Sequence, residues 1–238
     1  MTREEVLFLL KECNFDGILS ETNYVQKIMN FLPKNVTHFH GATKCVLIFP
    51  DCDFVIKIPF TGESRCYRET DDDGNVTYNY DGGFCAFEGA WLGAGHDDPE
   101  DEYPVSWDYC RAEVEVFKEA VYAGVEEFFL EVKEFAIINE HPIYEQKKAM
   151  LIEDIDSYEK DYDKDTRDST VKTCNDADVY CFNDCWVSDA FAFYNDTDKV
   201  LEFLNFCRDY VDDLHRGNIG YTIDLQQPVI VDYGSFND

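Results

Sequence analysis

The sequence predicts an α+β fold, and three observations carry that expectation. Short apolar, β-branched runs such as Lys44-Cys45-Val46-Leu47-Ile48-Phe49 and Phe54-Val55-Ile56-Lys57-Ile58-Pro59-Phe60 face each other across Asp51-Cys52-Asp53, the pattern of an antiparallel hairpin. Later segments instead space their apolar residues at helical intervals, as in Trp107 to Ala123 and Thr197 to Tyr210. Finally, 45% of residues are hydrophobic and 16% aromatic, too many for an acidic disordered chain, so the net charge of −30 must decorate a packed core.

In chain order, the first helix is expected from Arg3 to Glu12, with Thr2 as N-cap and Glu5 at the capping-box spacing. A second runs from Thr22 to Phe31 and stops before Pro33. Thr37 to Phe49, interrupted by Gly41, and Phe54 to Phe60 make the hairpin. Residues 61–106 read as a long loop-like insert, with a turn at Asp71-Asp72-Asp73-Gly74-Asn75 and an acidic tract from Gly95 to Glu102. The helix from Trp107 to Ala123 carries Val114, Phe117, Ala120 and Val121 at helical spacing and should stop at Gly124. Phe128 to Ile138 and Ile143 to Lys147 read as two strands. The acid, Lys and Tyr alternation of Ile155 to Thr173 suggests an exposed linker, and the helix from Thr197 to Tyr210 takes Thr197 as its N-cap. These shifts divide the chain into residues 1–148 and 149–238.

Charge excludes some functions. A surface this acidic repels phosphate backbones and anionic membranes, so neither nucleic acid nor membrane is an expected partner. The N-terminal apolar run, Val6 to Leu10, is too short for a secretory signal, which points to a cytoplasmic protein. Cys13, Cys110 and Cys207, on apolar helix faces, read as core thiols rather than members of a disulfide framework.

Four features carry chemistry. Lys57 is a lone lysine among apolar strand residues; Glu113 and Glu115 sit among apolar helix positions; Asp213 precedes Asn218 in a loop; and Asp232 closes an apolar strand before Tyr233-Gly234. A buried lysine requires a counter-charge, and carboxylates with an amide at strand ends are the hard oxygen donors Mg²⁺ prefers. The plainer alternatives are an edge-strand lysine at 57 and turn-capping roles for Asp213 and Asp232.

In this order the motifs resemble the protein-kinase-like superfamily. His40-Gly41-Ala42-Thr43-Lys44 stands at the hairpin tip, Val55-Ile56-Lys57 on the lysine strand, and Glu113 on the helix. Asp213-Leu214-His215-Arg216-Gly217-Asn218 forms the catalytic loop and Asp232-Tyr233-Gly234 the second metal motif. The loop form is closest to aminoglycoside phosphotransferases and small phage or bacterial-effector kinases. The resemblance implies a two-lobed fold with a β-rich N-lobe and a truncated, mostly helical C-lobe, since the sequence ends at Asp238, before any activation segment.

It further implies ATP and Mg²⁺ as cofactors, with Asn218 and Asp232 on the metal. Lys57 held by Glu113 would orient phosphates, and Asp213 would position the acceptor hydroxyl. Gly41, Ala42, Gln146 and Lys147 are expected to contact the nucleotide. Glu113 is preferred to Glu115 because Val116 and Phe117 follow it at core-facing spacing. His215 is expected to hold the loop by hydrogen bonding. The acceptor is unspecified, with a basic protein the class an acidic surface steers toward. If encoded by a phage or an effector, the protein would work in the host cytoplasm. The thin glycine loop keeps open a pseudokinase or acidic interaction module, and charge alone suggests a mimic of DNA.

Overall fold

The computed structural model describes residues 1–13, 28–39, 44–59, 110–139, 141–155, 158–159, 162–211 and 214–234 in full, and the backbone of 40, 63–70, 76–81, 103–106 and 109. It is a mixed α+β structure with antiparallel sheets, dividing into two compact units. One holds residues 1–110 and 134–145, the other 111–133 and 146–238. The segment carrying Glu113, placed by sequence in the first part, falls in the second unit.

In the first unit, helix α1 (Arg3–Glu12) starts as its sequence dictates. The Glu5 N–H donates to Thr2 Oγ1 while Glu5 Oε2 accepts from the Thr2 N–H, a complete capping box. Strands β1 (Thr37–His40), β2 (Lys44–Ile48) and β3 (Phe54–Pro59) pair in succession, so the predicted hairpin is a three-stranded meander. The break between β1 and β2 falls at the expected tip around Gly41; residues 41–43 lie outside the described residues, as does most of the predicted helix before Phe31.

The insert at 61–106 is the larger correction. It contains β4 (Glu63–Thr70), β5 (Val76–Asp81) and β6 (Tyr103–Ser106) in their own sheet, ordered β5-β4-β6. The first, ESRCYRET, lacks the apolar alternation by which a half-buried strand is recognised, whereas the second, VTYNYD, does alternate Val76, Tyr78 and Tyr80 with polar residues, a signal outweighed by the acidic and turn-rich residues around it. The predicted turn at 71–75 and the acidic tract lie outside the described residues.

Helix α2 (Tyr109–Ala123) ends where Gly124 takes φ +75°, the left-handed conformation a glycine enters without steric cost. The predicted strand from Phe128 resolves into a short 3₁₀ turn, Glu126–Phe128, and strand β7 (Val132–Ile138). Asn139, at φ 50°, turns the chain into β8 (His141–Lys147), and the sheet order is β1-β2-β3-β8-β7. Lys57 is therefore on an interior strand, against the edge-strand alternative.

One face of this sheet is the core of the first unit. Cys45, Leu47, Ile56, Ile58 and Ile143 pack with Val6 and Leu10 of α1 and with Ile28, Leu32 and Val36. Arg3 lies over the Phe54 ring at 4.7 Å and donates to Glu145 at 2.8 Å, joining α1 to β3 and β8 on that same face.

The second unit carries a smaller sheet, β9 (Ala149–Leu151), β10 (Ile219–Thr222) and β11 (Pro228–Ile230), ordered β11-β10-β9. Helices α3 (Lys164–Asp176), α4 (Asp184–Tyr194) and α5 (Thr197–Tyr210) complete it. The predicted linker thus runs into α3, hidden in sequence because its buried positions are Thr170 and Cys174 and its other apolar residue, Val171, is exposed. The N-cap of α5 is Asp196, whose carboxylate accepts the Lys199 N–H, and not Thr197. Cys13, Cys110 and Cys207 are buried free thiols, and burial pushes Cys13 up to about 11. Among the described residues no helix is long and apolar enough to cross a membrane.

Candidate functional site

The predicted site residues fall into the two units, and each group is built by its own unit. In the first, the antiparallel register places Val46 opposite Lys57 and Lys44 opposite Pro59. Side chains of directly opposed residues share a face. Lys44, Val46 and Ile48 therefore lie with Val55, Lys57 and Pro59 on the face away from the α1 core. Lys57 is 3% exposed and Lys44 4% exposed, so two lysines are buried on one side of adjacent strands. Phe39, opposite Val46, lies on the same face and is 65% exposed.

In the second unit, α5 packs on the 3₁₀ turn at Glu126–Phe128 and α4 on β10. Phe203 of α5 stacks on Phe128 with ring centroids 4.2 Å apart, and the Trp186 indole N–H of α4 donates to the Gly220 carbonyl at 3.0 Å, holding β10. Inside the loop after Val211 the Gly217 N–H donates to His215 Nδ1 at 3.0 Å and the Asn218 N–H to the His215 carbonyl at 2.9 Å. His215 thus shapes the turn that delivers Asn218.

The Asn218 carbonyl then accepts the N–H groups of Val231 at 2.8 Å and Asp232 at 3.4 Å. With Ile219 opposite Ile230 in the β10–β11 ladder, these bonds put Asn218 at the start of one strand beside Asp232 just past the end of the other. Asn218 is 7% exposed and Asp232 half-buried. The pair supplies an amide and a carboxylate oxygen, a donor set suited to Mg²⁺, which takes one or two carboxylates and leaves its remaining positions to water and phosphate. Among the described residues no group of three His, Cys, Asp or Glu side chains could hold a metal by itself.

Tyr233 is fully buried. Its hydroxyl donates to the Leu130 carbonyl at 2.7 Å and accepts the Val132 N–H at 3.3 Å, while its ring meets Phe129 edge-on at 5.0 Å. Burial first, then the negative charge of Glu113, pushes the phenol well above its ordinary value, so Glu113 belongs to the surroundings of Tyr233. Glu113 is fully buried on the α2 face shared with Val116 and Ala120, whereas Glu115 is exposed and paired with Lys118 at 2.8 Å.

Gln146 is buried and its Nε2 donates to the Leu130 carbonyl at 2.8 Å, so its amide anchors the backbone beside Tyr233; Lys147 is exposed. Gly41, Ala42 and Asp213 lie outside the described residues. Lys44 was read only as part of the hairpin tip; the signal that picks it out is its cross-strand position, two residues from Lys57 once Lys44 is set opposite Pro59. Comparison with family models, with curated proteins and with solved structures finds no match to this chain.

Proposed function

We propose that this chain is a minimal two-lobed, protein-kinase-like phosphotransferase, using ATP and Mg²⁺ to move the γ-phosphoryl group to a hydroxyl. The observation that carries the reading is the backbone clamp by which the Asn218 carbonyl holds Val231 and Asp232, because it sets an amide beside a carboxylate at the ends of paired strands. A buried lysine on an interior strand and a fully buried glutamate on a helix add the two charges such a site employs.

In this reading Lys57 binds and orients the α- and β-phosphates, and Asn218 and Asp232 hold the metal. When bound, Mg²⁺ neutralises charge on the β- and γ-phosphates. Glu113 is the counter-charge to Lys57, and Asp213 receives the proton of the acceptor hydroxyl as its oxygen bonds to phosphorus and ADP leaves. Positioning and charge neutralisation supply the rate, with no covalent enzyme intermediate. A basic protein is the acceptor class that the net charge of −30 attracts.

The test is thermal unfolding with and without Mg²⁺-ATP, since a ligand that binds only the folded chain raises its melting temperature. The expected result is a Mg²⁺-dependent rise that shrinks in Lys57→Ala, followed by transfer of labelled γ-phosphate that Asp213→Ala abolishes. A nucleotide-induced rise without transfer would make the chain a pseudokinase. No rise at saturating nucleotide would overturn the reading and leave an acidic interaction module.

A further inference from the structure

We propose that Cys174 and Cys181 are a redox-active dithiol, closing to a disulfide when a peroxide oxidises them and reopening with a thiol reductant. This does not depend on the phosphotransferase reading, because it concerns the join between α3 and α4 and not the Asn218–Asp232 pair. Of the free cysteines among the described residues, Cys181 alone is not buried. Cys174 is fully buried, and its sulfur accepts a hydrogen bond from the Cys181 thiol. A sulfur that solvent reaches thus touches one that it does not.

The chain reverses to make this contact. Helix α3 stops at Asp176, and the Val179 N–H donates back to the Cys174 carbonyl at 3.0 Å. Asp178 takes φ 58° in the reversal, a left-handed conformation that aspartate enters more readily than most residues. Beyond it the side chains alternate: Val179 is buried, Tyr180 is 69% exposed, and Cys181 turns inward again to Cys174. One turn before Cys174, the Thr170 hydroxyl hydrogen-bonds that of Ser188 and fixes α3 against α4. Thiols already in contact can bond with little backbone movement, which is the geometric condition for a disulfide.

In the oxidation an S–S bond forms and the O–O bond of hydrogen peroxide breaks. The two sulfurs are oxidised, the peroxide is reduced, and the two thiol protons leave in two molecules of water. Exchange with a dithiol reductant reverses the step. The hydrogen bond from Cys181 lowers Cys174 and favours the thiolate that such chemistry uses, whereas burial pushes Cys13 up to about 11 and Cys45 up to about 12. Cys185, four residues beyond Cys181, is the competing partner; it is fully buried and raised to about 11, by burial first and then by Asp184. A bond between Cys174 and Cys181 fastens the connector to α3 just before α4, the helix whose Trp186 indole holds the Gly220 carbonyl of β10.

The experiment treats the intact, fully reduced chain with a stoichiometric amount of hydrogen peroxide at neutral pH, then blocks the remaining thiols by alkylation. Cleavage before aspartate, at Asp176, Asp178 and Asp184, puts Cys174, Cys181 and Cys185 on separate peptides for mass mapping. The expected main product is the Cys174 peptide linked to the Cys181 peptide with loss of two hydrogens, returned to two thiols by dithiothreitol. The same treatment in urea should scatter the links among the cysteines. Cys181 linked to Cys185, Cys181 oxidised to a sulfinic acid with Cys174 still alkylated, or both thiols recovered alkylated overturns the inference. So does an unchanged preference in urea, which would make the pairing a matter of nearness in sequence and not of the fold. The mapping needs no substitution, so it does not hinge on the folding of a variant.

Discussion

The Asn218 carbonyl accepts the backbone N–H of Asp232 at 3.4 Å as well as that of Val231 at 2.8 Å, so the loop residue and the strand-end residue are joined through main chain. A main-chain link of this kind survives substitution of either side chain, which has a direct consequence for mutagenesis. Asp232→Asn and Asn218→Ala should keep the fold, with melting temperatures within about 4 °C of wild type, corresponding to roughly 1 kcal/mol. Both should lose the Mg²⁺-dependent part of any nucleotide-induced stabilisation. Thermal unfolding with ATP, with and without Mg²⁺, measures this, and an undiminished Mg²⁺ effect in Asp232→Asn would remove the residue from the metal site.

The close approach of β9 and β10 makes a stronger demand on backbone. A Cβ built at Gly220 would lie 2.2 Å from the Met150 carbonyl oxygen, and that neighbour is main chain paired within the same sheet. Nothing there can rotate aside. Gly220→Ala should therefore destabilise the protein by about 2–4 kcal/mol through forced separation of the strands. Urea unfolding reads the difference; a change below about 0.5 kcal/mol would mean that β9 and β10 do not pair as closely as this.

These two cases show which features the sequence discloses. The capping box at Thr2 and Glu5, the stop at Gly124 and the bounds of α5 were all legible, because each is set by chemistry within a few residues. The α5 N-cap shifted by one residue, from Thr197 to Asp196, since adjacent positions both carry an oxygen that can cap. By contrast β4 and α3 escaped recognition, because their sequences present little apolar periodicity and they are specified by pairing or by a few buried contacts, while the alternation of Val76, Tyr78 and Tyr80 in β5 was passed over among polar, turn-rich neighbours. The same division runs through the candidate site. Asn218 and Asp232 could be chosen from spacing and an apolar strand, whereas Lys44 emerges only from a cross-strand register that no linear spacing encodes.

A cluster of phenols sets an alkaline limit. Asp189 Oδ2 accepts the hydroxyls of Tyr158 and Tyr221, each at 2.6 Å, and Oδ1 accepts that of Tyr162 at 2.8 Å, tying residues after β9 to α4 and β10. Burial first, and then the Asp189 carboxylate, raises all three phenols above their ordinary value. A group raised in the folded state stabilises fully below its unfolded pKa, about 10 for tyrosine, and that contribution is lost as pH climbs toward the folded value. Stability should fall from about pH 10 upward. Asp189→Asn should cost about 2–3 kcal/mol near neutrality and flatten the alkaline fall. Urea unfolding across the alkaline range, with tyrosinate absorbance followed in parallel, tests this; equal slopes in both proteins would show that the cluster is not the titrating element.

One carbonyl, that of Leu130, accepts two side-chain donors: the Tyr233 hydroxyl at 2.7 Å and Gln146 Nε2 at 2.8 Å. Neither donor alone is indispensable to it. Tyr233→Phe leaves the Leu130 carbonyl satisfied through Gln146 but strands the buried Val132 N–H, and costs about 1–3 kcal/mol. Gln146→Met leaves the carbonyl satisfied through Tyr233 at a cost of about 1 kcal/mol. Removing both strands a buried carbonyl, so the double variant should lose about 1–2 kcal/mol more than the two single losses added together. Denaturant unfolding of the four proteins completes the cycle. Strict additivity would mean that water reaches Leu130 when the donors are gone, and that the backbone beside Tyr233 is less closed than its burial indicates.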